Sequence, residues 1–229
     1  PVIFNEYCTT WGNPTIENLE RIAKKLQGSG VKYLVIDCGW YKEEGKNWWD
    51  SIGDWNVSKV LFPRGLKEVC DMIKSYGLIP GIWFEFENAA PGAEIYNKTE
   101  HLLSRDGYPL TVGGRRFLDM RDEWCVKYLD EKVIKLLSEC GFGYLKIDYN
   151  ETIGVGCDGA ESLGEGLRQA VCASQNYIRR IAEKLPDLVI ENCSSGGHRL
   201  EPSMMELVSQ ASFSDAHECV SIPIIAANV

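Results

Sequence analysis

The sequence predicts an α/β fold, a (β/α)₈ TIM barrel that stops after about six strand–helix units. Three observations predict it. Short apolar runs alternate with longer amphipathic segments along the whole chain. The short runs are apolar on both faces, as parallel strands covered by helices must be. Asp37, Glu85, Asp148, Glu191 and Asp215 each fall at or just after the C-terminal end of such a run. In a barrel those ends converge on one mouth, where active sites lie. In a doubly wound sheet, the alternative with the same alternation, only strands at the switch point converge. No Gly-rich phosphate loop follows the first strand, which also favours the barrel.

The elements follow in order. Val2, Ile3 and Phe4 are a short apolar run before polar residues. Residues 15–26 place Ile16, Leu19, Ile22, Ala23 and Leu26 at helical spacing, and Gly28 and Gly30 end that helix. Tyr33-Leu34-Val35-Ile36 is a buried strand that stops at Asp37. Residues 66–76 form a helix between Pro63 and Gly77, and residues 79–84 a strand that stops at Glu85. Residues 122–140 form a long helix with Val126, Leu129, Val133, Leu136 and Leu137 on one face. Residues 143–147 are a strand that stops at Asp148, 164–185 a helix, and 188–190 a strand that stops at Glu191. A last helix is expected over 200–208 and a short strand over 211–213. Residues 86–119 show no period, and so long a connection inside a domain is usually functional or mobile. No repeat, low-complexity tract or linker is found, so residues 1–229 read as one domain.

Composition narrows the function class. With 229 residues, 45% of them apolar and 25% charged, the chain is an ordinary globular one. The 24 Lys+Arg against 33 Asp+Glu leave a net charge of -9, which argues against coating nucleic acid or anionic lipid. No stretch approaches the roughly 20 apolar residues of a membrane span, and the N-terminus as given shows no signal peptide. The 9 cysteines are odd in number and scattered, with no CxxC pair. Free buried thiols in a reducing cytoplasm are therefore expected, with neither a disulfide scaffold nor a zinc site.

Several residues offer chemistry. Lys146 and Asp148 lie two apart on one strand, so both point to one face. A neighbouring ammonium keeps a carboxylate ionised, and an ionised carboxylate at a barrel mouth is a candidate nucleophile. A structural ion pair closing the strand fits the same spacing. Asp215 supplies a second carboxylate, as glycoside hydrolysis requires, or else caps a helix. His217 beside it would be needed by a metal site or a triad, and no metal-ligand spacing surrounds it. Residues 191–199, Glu-Asn-Cys-Ser-Ser-Gly-Gly-His-Arg, form a Gly-rich loop that lets backbone approach a ligand, or a plain βα turn. Trp40, Trp48, Trp49, Trp55 and Trp83 lie near the expected mouth. Tryptophan beside carboxylates suits sugars, although some of these rings are expected in the core.

At this point the chain resembles the catalytic barrel of glycoside hydrolase family thirty-six, the retaining α-galactosidases. The resemblance runs over residues 1–229 and rests on an ordered set of motifs. These are Ile36-Asp37-Cys38-Gly39-Trp40, Gly53-Asp54-Trp55, Phe62-Pro63-Arg64-Gly65-Leu66, Gly81-Ile82-Trp83-Phe84-Glu85-Phe86-Glu87, Lys146-Ile147-Asp148-Tyr149-Asn150, Glu191-Asn192-Cys193-Ser194-Ser195-Gly196-Gly197 and Ser214-Asp215. It implies Asp148 as nucleophile and Asp215 as general acid/base. Asp37, Trp55, Arg115, Lys146, Asn150, Cys193 and Gly196 would bind the sugar, with Asp37 on its hydroxyls, Trp55 as a pocket wall and Cys193 as a pocket residue.

The resemblance further implies α-galactoside oligosaccharides of the melibiose and raffinose type as substrates. It implies no metal or other cofactor, and a homo-oligomeric parent enzyme. Many members carry two consecutive aspartates where this chain has Asp37-Cys38, and proline is common where Phe86 stands. Members also have a large β-sandwich domain before the barrel and a small β-domain after it. The chain is therefore expected to be a catalytic-barrel domain without those flanks. The rival expectations are α-N-acetylgalactosaminidase or raffinose-type transglycosylase activity on the same fold, a non-catalytic galactoside-binding fragment, and a metal-dependent hydrolase using His217 with Asp215.

Overall fold

The structure, a computed structural model, describes residues 1–216 and 218–227. His217 lies outside the described residues. One sheet organises the chain, with strands β1 (Val2–Asn5), β2 (Val31–Ile36), β3 (Ile79–Phe84), β4 (Tyr144–Ile147), β5 (Val189–Asn192) and β6 (Gln210–Ala211). Every neighbouring pair is parallel, and the spatial order is the sequence order. A doubly wound sheet would reverse at a switch point, and this one does not. The architecture is α/β with a six-stranded parallel sheet of barrel type.

Helices cover one face. They are α1 (Ile16–Leu26), α2 (Leu66–Ser75), α3 and α4 (Leu163–Lys184). Thr15 caps α1 by accepting from Asn18 N at 3.2 Å, and Ser162 caps α4 by accepting from Glu165 N at 3.2 Å. The run expected over 122–140 is α3, built as Glu123–Leu129, a π-helical segment Asp130–Ile134, and Lys135–Cys140. The π segment inserts extra backbone that side-chain periodicity does not register. The last expected helix shortens to Pro202–Met205, and the expected strand over 211–213 shifts to Gln210–Ala211.

Period 2 along the strands gives the sheet two apolar faces. Leu34, Ile36, Ile82, Leu145, Ile147 and Ile190 pack on the helix side in the main core. Tyr33, Val35 and Tyr144 cluster on the other side, with Ile3, Ile79 and Val189 against them. Further along that inner face the same parity yields Asp37, Trp83 and Glu85, Lys146 and Asp148, and Glu191 and Cys193. The inner face thus turns from apolar to charged as it nears the C-terminal ends.

The connection over 86–119 is ordered. Asn88–Ala89, Arg115–Phe117 and Thr111–Val112 form a three-stranded antiparallel sheet, and Ser104–Arg105 pairs with Tyr108–Pro109. Strands of two or three residues are too short to leave a period. Among the described residues, no helix is long and apolar enough to cross a membrane.

Gly81 of β3 lies between Val35 of β2 and Tyr144 of β4. A Cβ there would stand 2.9 Å from Tyr144 Cβ and 2.9 Å from Val35 Cγ2. Gly81→Ala is expected to cost about 1–3 kcal/mol by overpacking, read as a lowered urea midpoint with unchanged slope.

Candidate active site

The C-terminal ends of the strands open onto a cavity of about 310 Å³ lined by Tyr7, Asp37, Cys38, Trp48, Trp49, Trp83, Lys146, Asp148, Asn150 and Asp215. Asp148 directly follows β4 and is buried. Its Oδ1 accepts from Tyr149 N at 2.9 Å and Ser195 N at 2.7 Å. Its Oδ2 accepts from Trp83 Nε1 at 3.1 Å and Asn150 Nδ2 at 2.9 Å. Four N–H donors from three different segments therefore fix the carboxylate plane.

Asp215 reaches the same place from beyond β6, and it is exposed. Oxygens of Asp148 and Asp215 and the Cys193 sulfur all lie within 4.8 Å of one another. The Cys193 thiol donates to Asp215 Oδ1 at 3.5 Å. Burial pushes that thiol up, so it stays protonated near neutral pH and is neither a nucleophile nor a ready metal ligand. Gly196 permits this approach. A Cβ there would stand 2.2 Å from Asp215 N, and its φ of 71° is left-handed.

Lys146 is on the inner face as expected, but it pairs with Asp37, at 3.0 Å, and not with Asp148. Asp37 Oδ2 also accepts from Asn5 Nδ2 at 2.6 Å, and its Oδ1 from Cys38 N at 2.9 Å. Burial alone would lower the Lys146 ammonium. The carboxylates of Asp37 first, then Asp148 and Glu191, outweigh it and hold the ammonium well above its usual value.

Of the expected sugar-binding residues, Asp37, Lys146 and Asn150 line the cavity, and Trp55, Arg115, Cys193 and Gly196 are not among its lining residues. Trp55 is buried against Trp40, at 6.0 Å between ring centres, and Tyr41, at 4.9 Å, and is not among the lining residues. Trp40 and Trp55 belong to the core, and Trp48, Trp49 and Trp83 supply the aromatic lining. The residue expected as a pocket wall, Trp55, thus has its ring in the core behind that lining. Arg115 is also buried, stacked on the Trp49 ring at 3.9 Å with Glu85 Oε2 at 3.6 Å. It stands one layer behind the lining.

Sequence pattern does not mark Tyr7 or the Ser195 N–H, and it marks Cys38 only as standing where many family members carry a second aspartate. Tyr7 is in the turn after β1, Cys38 after β2. Trp83 was noted, and its parity with Glu85 was the available signal for an inward ring. A backbone donor such as Ser195 N–H leaves no side-chain signal.

A family model described as Melibiase matches residues 1–226. The chain belongs to the melibiase family. Among similar proteins, the α-galactosidase AgaA of Geobacillus stearothermophilus is 27% identical over 226 residues, covering 96% of this chain and 31% of that protein. The α-galactosidase Mel36A of Lactobacillus acidophilus is 28% identical over 233 residues, with 96% and 31% covered. A variant of AgaA solved in complex with raffinose superposes with a TM-score of 0.87 at 26% identity, covering 99% of this chain and 32% of that one. This melibiase chain thus spans about a third of the length of the relatives it matches.

One electrostatic consequence is testable without substrate. Burial pushes the Glu6 carboxyl up to about 7, against lowering by its bonds from Thr10 and Asp37 N. A carboxyl raised on folding adds stability below its unfolded pKa, and that share is lost as pH rises through about 7. The denaturation midpoint is therefore expected to fall between about pH 4.5 and about pH 7, and Glu6→Gln to flatten the fall by up to roughly 3 kcal/mol.

Proposed function

We propose that this chain is the catalytic barrel domain of a retaining α-galactosidase that acts on terminal α-galactosides of the melibiose and raffinose type. The observation that carries the reading is the carboxyl pair. Oxygens of Asp148 and Asp215 lie within 4.8 Å across one cavity. Retaining glycosidases hold their carboxyl groups about 5–5.5 Å apart, and inverting ones about 6.5–9.5 Å to admit a water. The similarity to AgaA, whose variant was solved with raffinose, supports the substrate class.

The two acids divide the work by environment. Asp148 is buried and held by four N–H donors, as a nucleophile needs to be for attack along one line. It attacks the anomeric carbon while Asp215 gives its proton to the departing glycosidic oxygen. A covalent galactosyl ester of Asp148 results. Asp215, exposed and open to water, then takes a proton from a water molecule, which attacks the same carbon and frees Asp148. Two inversions give net retention. Asp37 and Lys146 face the cavity as an acceptor and a donor for ring hydroxyls, and Trp49 and Trp83 offer flat apolar faces. No step calls for a metal or an organic cofactor.

Hydrolysis of p-nitrophenyl α-galactoside tests this. Asp148→Ala is expected to abolish turnover, and added azide to restore a product of inverted configuration, β-galactosyl azide. Asp215→Ala is expected to lose about 10²–10⁴-fold on substrates with poor leaving groups and to form α-galactosyl azide instead. Wild-type rates in Asp148→Ala would sink the reading.

A further inference from the structure

Glu85 is a carboxyl group that the mechanism above does not use. It follows β3 directly and is fully buried. Its Oε1 accepts from Asn88 Nδ2 at 2.6 Å and from Asn150 N at 2.8 Å. Its Oε2 accepts from Asn150 Nδ2 at 2.9 Å and lies 3.6 Å from Arg115 Nη1. The same Asn150 Nδ2 donates to Asp148 Oδ2 at 2.9 Å. One amide nitrogen thus bridges two carboxylates, with one hydrogen for each.

An asparagine side chain can present either its N–H or its carbonyl to a neighbour. Here the choice decides whether Asp148 receives a donor or faces another acceptor. A carboxylate at Glu85 accepts only, and it holds Asn150 at both backbone and side chain. Resting on the reading of Asp148 as nucleophile, we infer that Glu85 is a positioning residue that, as a carboxylate, clamps Asn150 with its N–H toward Asp148. Arg115 supplies the counter-charge that lets the carboxylate persist. Its three guanidinium nitrogens have no hydrogen-bond partner, so its contribution is charge and stacking on Trp49.

The clamp loosens with acid. Burial, then the Asp148 charge, push the Glu85 carboxyl up to about 7, with Arg115 and the Asn150 bonds opposing. The groups facing it are Asp148 and Asn150 from the end of β4, Arg115 and Asn88 from the 86–119 excursion, and Tyr41 from the loop after β2. Once Glu85 is protonated, the oxygen that carries the proton is a poorer acceptor, and its bond from Asn150 or Asn88 weakens.

Two measurements test the inference. In ¹⁵N–¹H spectra of the wild-type chain, the Asn150 side-chain amide is expected to shift with a midpoint near pH 7, and the shift to vanish in Glu85→Gln. An Asn150 side-chain amide whose position and pH dependence are the same in Glu85→Gln as in the wild type overturns the clamp and needs no catalysis to be read. In turnover, Glu85→Gln is expected to lower kcat by about 10–100-fold with a much smaller change in KM, and to move the acid limb of the pH profile down. In an Asn150→Ala background, Glu85→Gln is expected to cost nothing more. Costs that multiply would overturn the route through Asn150. Asp148→Ala separates the two failures: full turnover there sinks the assignment of the nucleophile, whatever Glu85 does.

Discussion

The parallel hydrogen-bond ladder runs past the ends of its strands, and the site depends on that. Asp148 N donates to Phe84 O at 2.8 Å, and Cys193 N to Ile147 O at 2.8 Å. Glu6 N reaches Val35 O at 3.2 Å and Ser212 N reaches Asn192 O at 3.0 Å. The residues that open the loops after β1, β4, β5 and β6 are therefore held in strand register, and Asp37 N after β2 is held by the Glu6 side chain at 2.9 Å. Side-chain parity carries over with them, so Asp148 points inward because Tyr144 and Lys146 do. A slip of one residue would turn every such carboxyl toward the helix face, against Ile36, Ile82 and Ile147. The apolar residues deep in the sheet, far from any ligand, thereby specify the geometry of the mouth.

Crowding acids into one desolvated layer is costly, and the fold answers in three ways. Asp37 has Lys146 at 3.0 Å, and Glu87 has Arg199 at 2.6 and 3.0 Å. Asp148 has no cation within bonding distance among the described residues and takes four N–H donors instead. Glu6, which accepts from the Thr10 hydroxyl and from Asp37 N–H, is pushed up to about 7 by burial. An N–H cage suits a nucleophile better than an ammonium would. It orients the carboxylate without placing a competing cation on the attacking oxygen.

The alternation of strands and helices was legible because burial on two faces leaves a strong pattern, and each barrel strand falls within about two residues of its expected place. The convergence of Asp37, Asp148 and Asp215 followed from strand-end position alone, since parallel strands of one sheet share a C-terminal edge. Pairings within that edge were not legible. Nothing in the sequence spacing ranks the several acids that Lys146 could meet, and its partner Asp37 stands at the end of β2, two strands away across β3. Trp55 and Trp49 have the same chemistry, and only the path of the 3₁₀ turn Trp49–Ser51 and the chain after it sends one ring to the core and the other to the cavity. The 86–119 excursion hid its order because its strands are shorter than the period they would need to show.

The loop after β5 shows how strain and function meet. Ser194, Ser195, Gly196 and Gly197 take φ values of 44°, 55°, 71° and 122° in succession. Two of these are not glycine, and left-handed backbone costs such residues roughly 1–2 kcal/mol each. Nothing local to two serines favours that conformation, so the surroundings must impose it. Ser194 Oγ donates to Asn192 Oδ1 at 2.7 Å, and Asn192 Nδ2 donates to Arg199 O at 2.6 Å, which ties the loop's two ends together. Arg199 is anchored in turn on Glu87 and lies over the Tyr149 ring at 3.5 Å. With both ends fixed, the chain between them has one short path, and that path aims Ser195 N at Asp148 and leaves room at Gly196 for Asp215. The buried Glu87–Arg199 pair thus acts on the carboxyl pair without touching it. It holds a strained backbone in a shape that lets both acids meet.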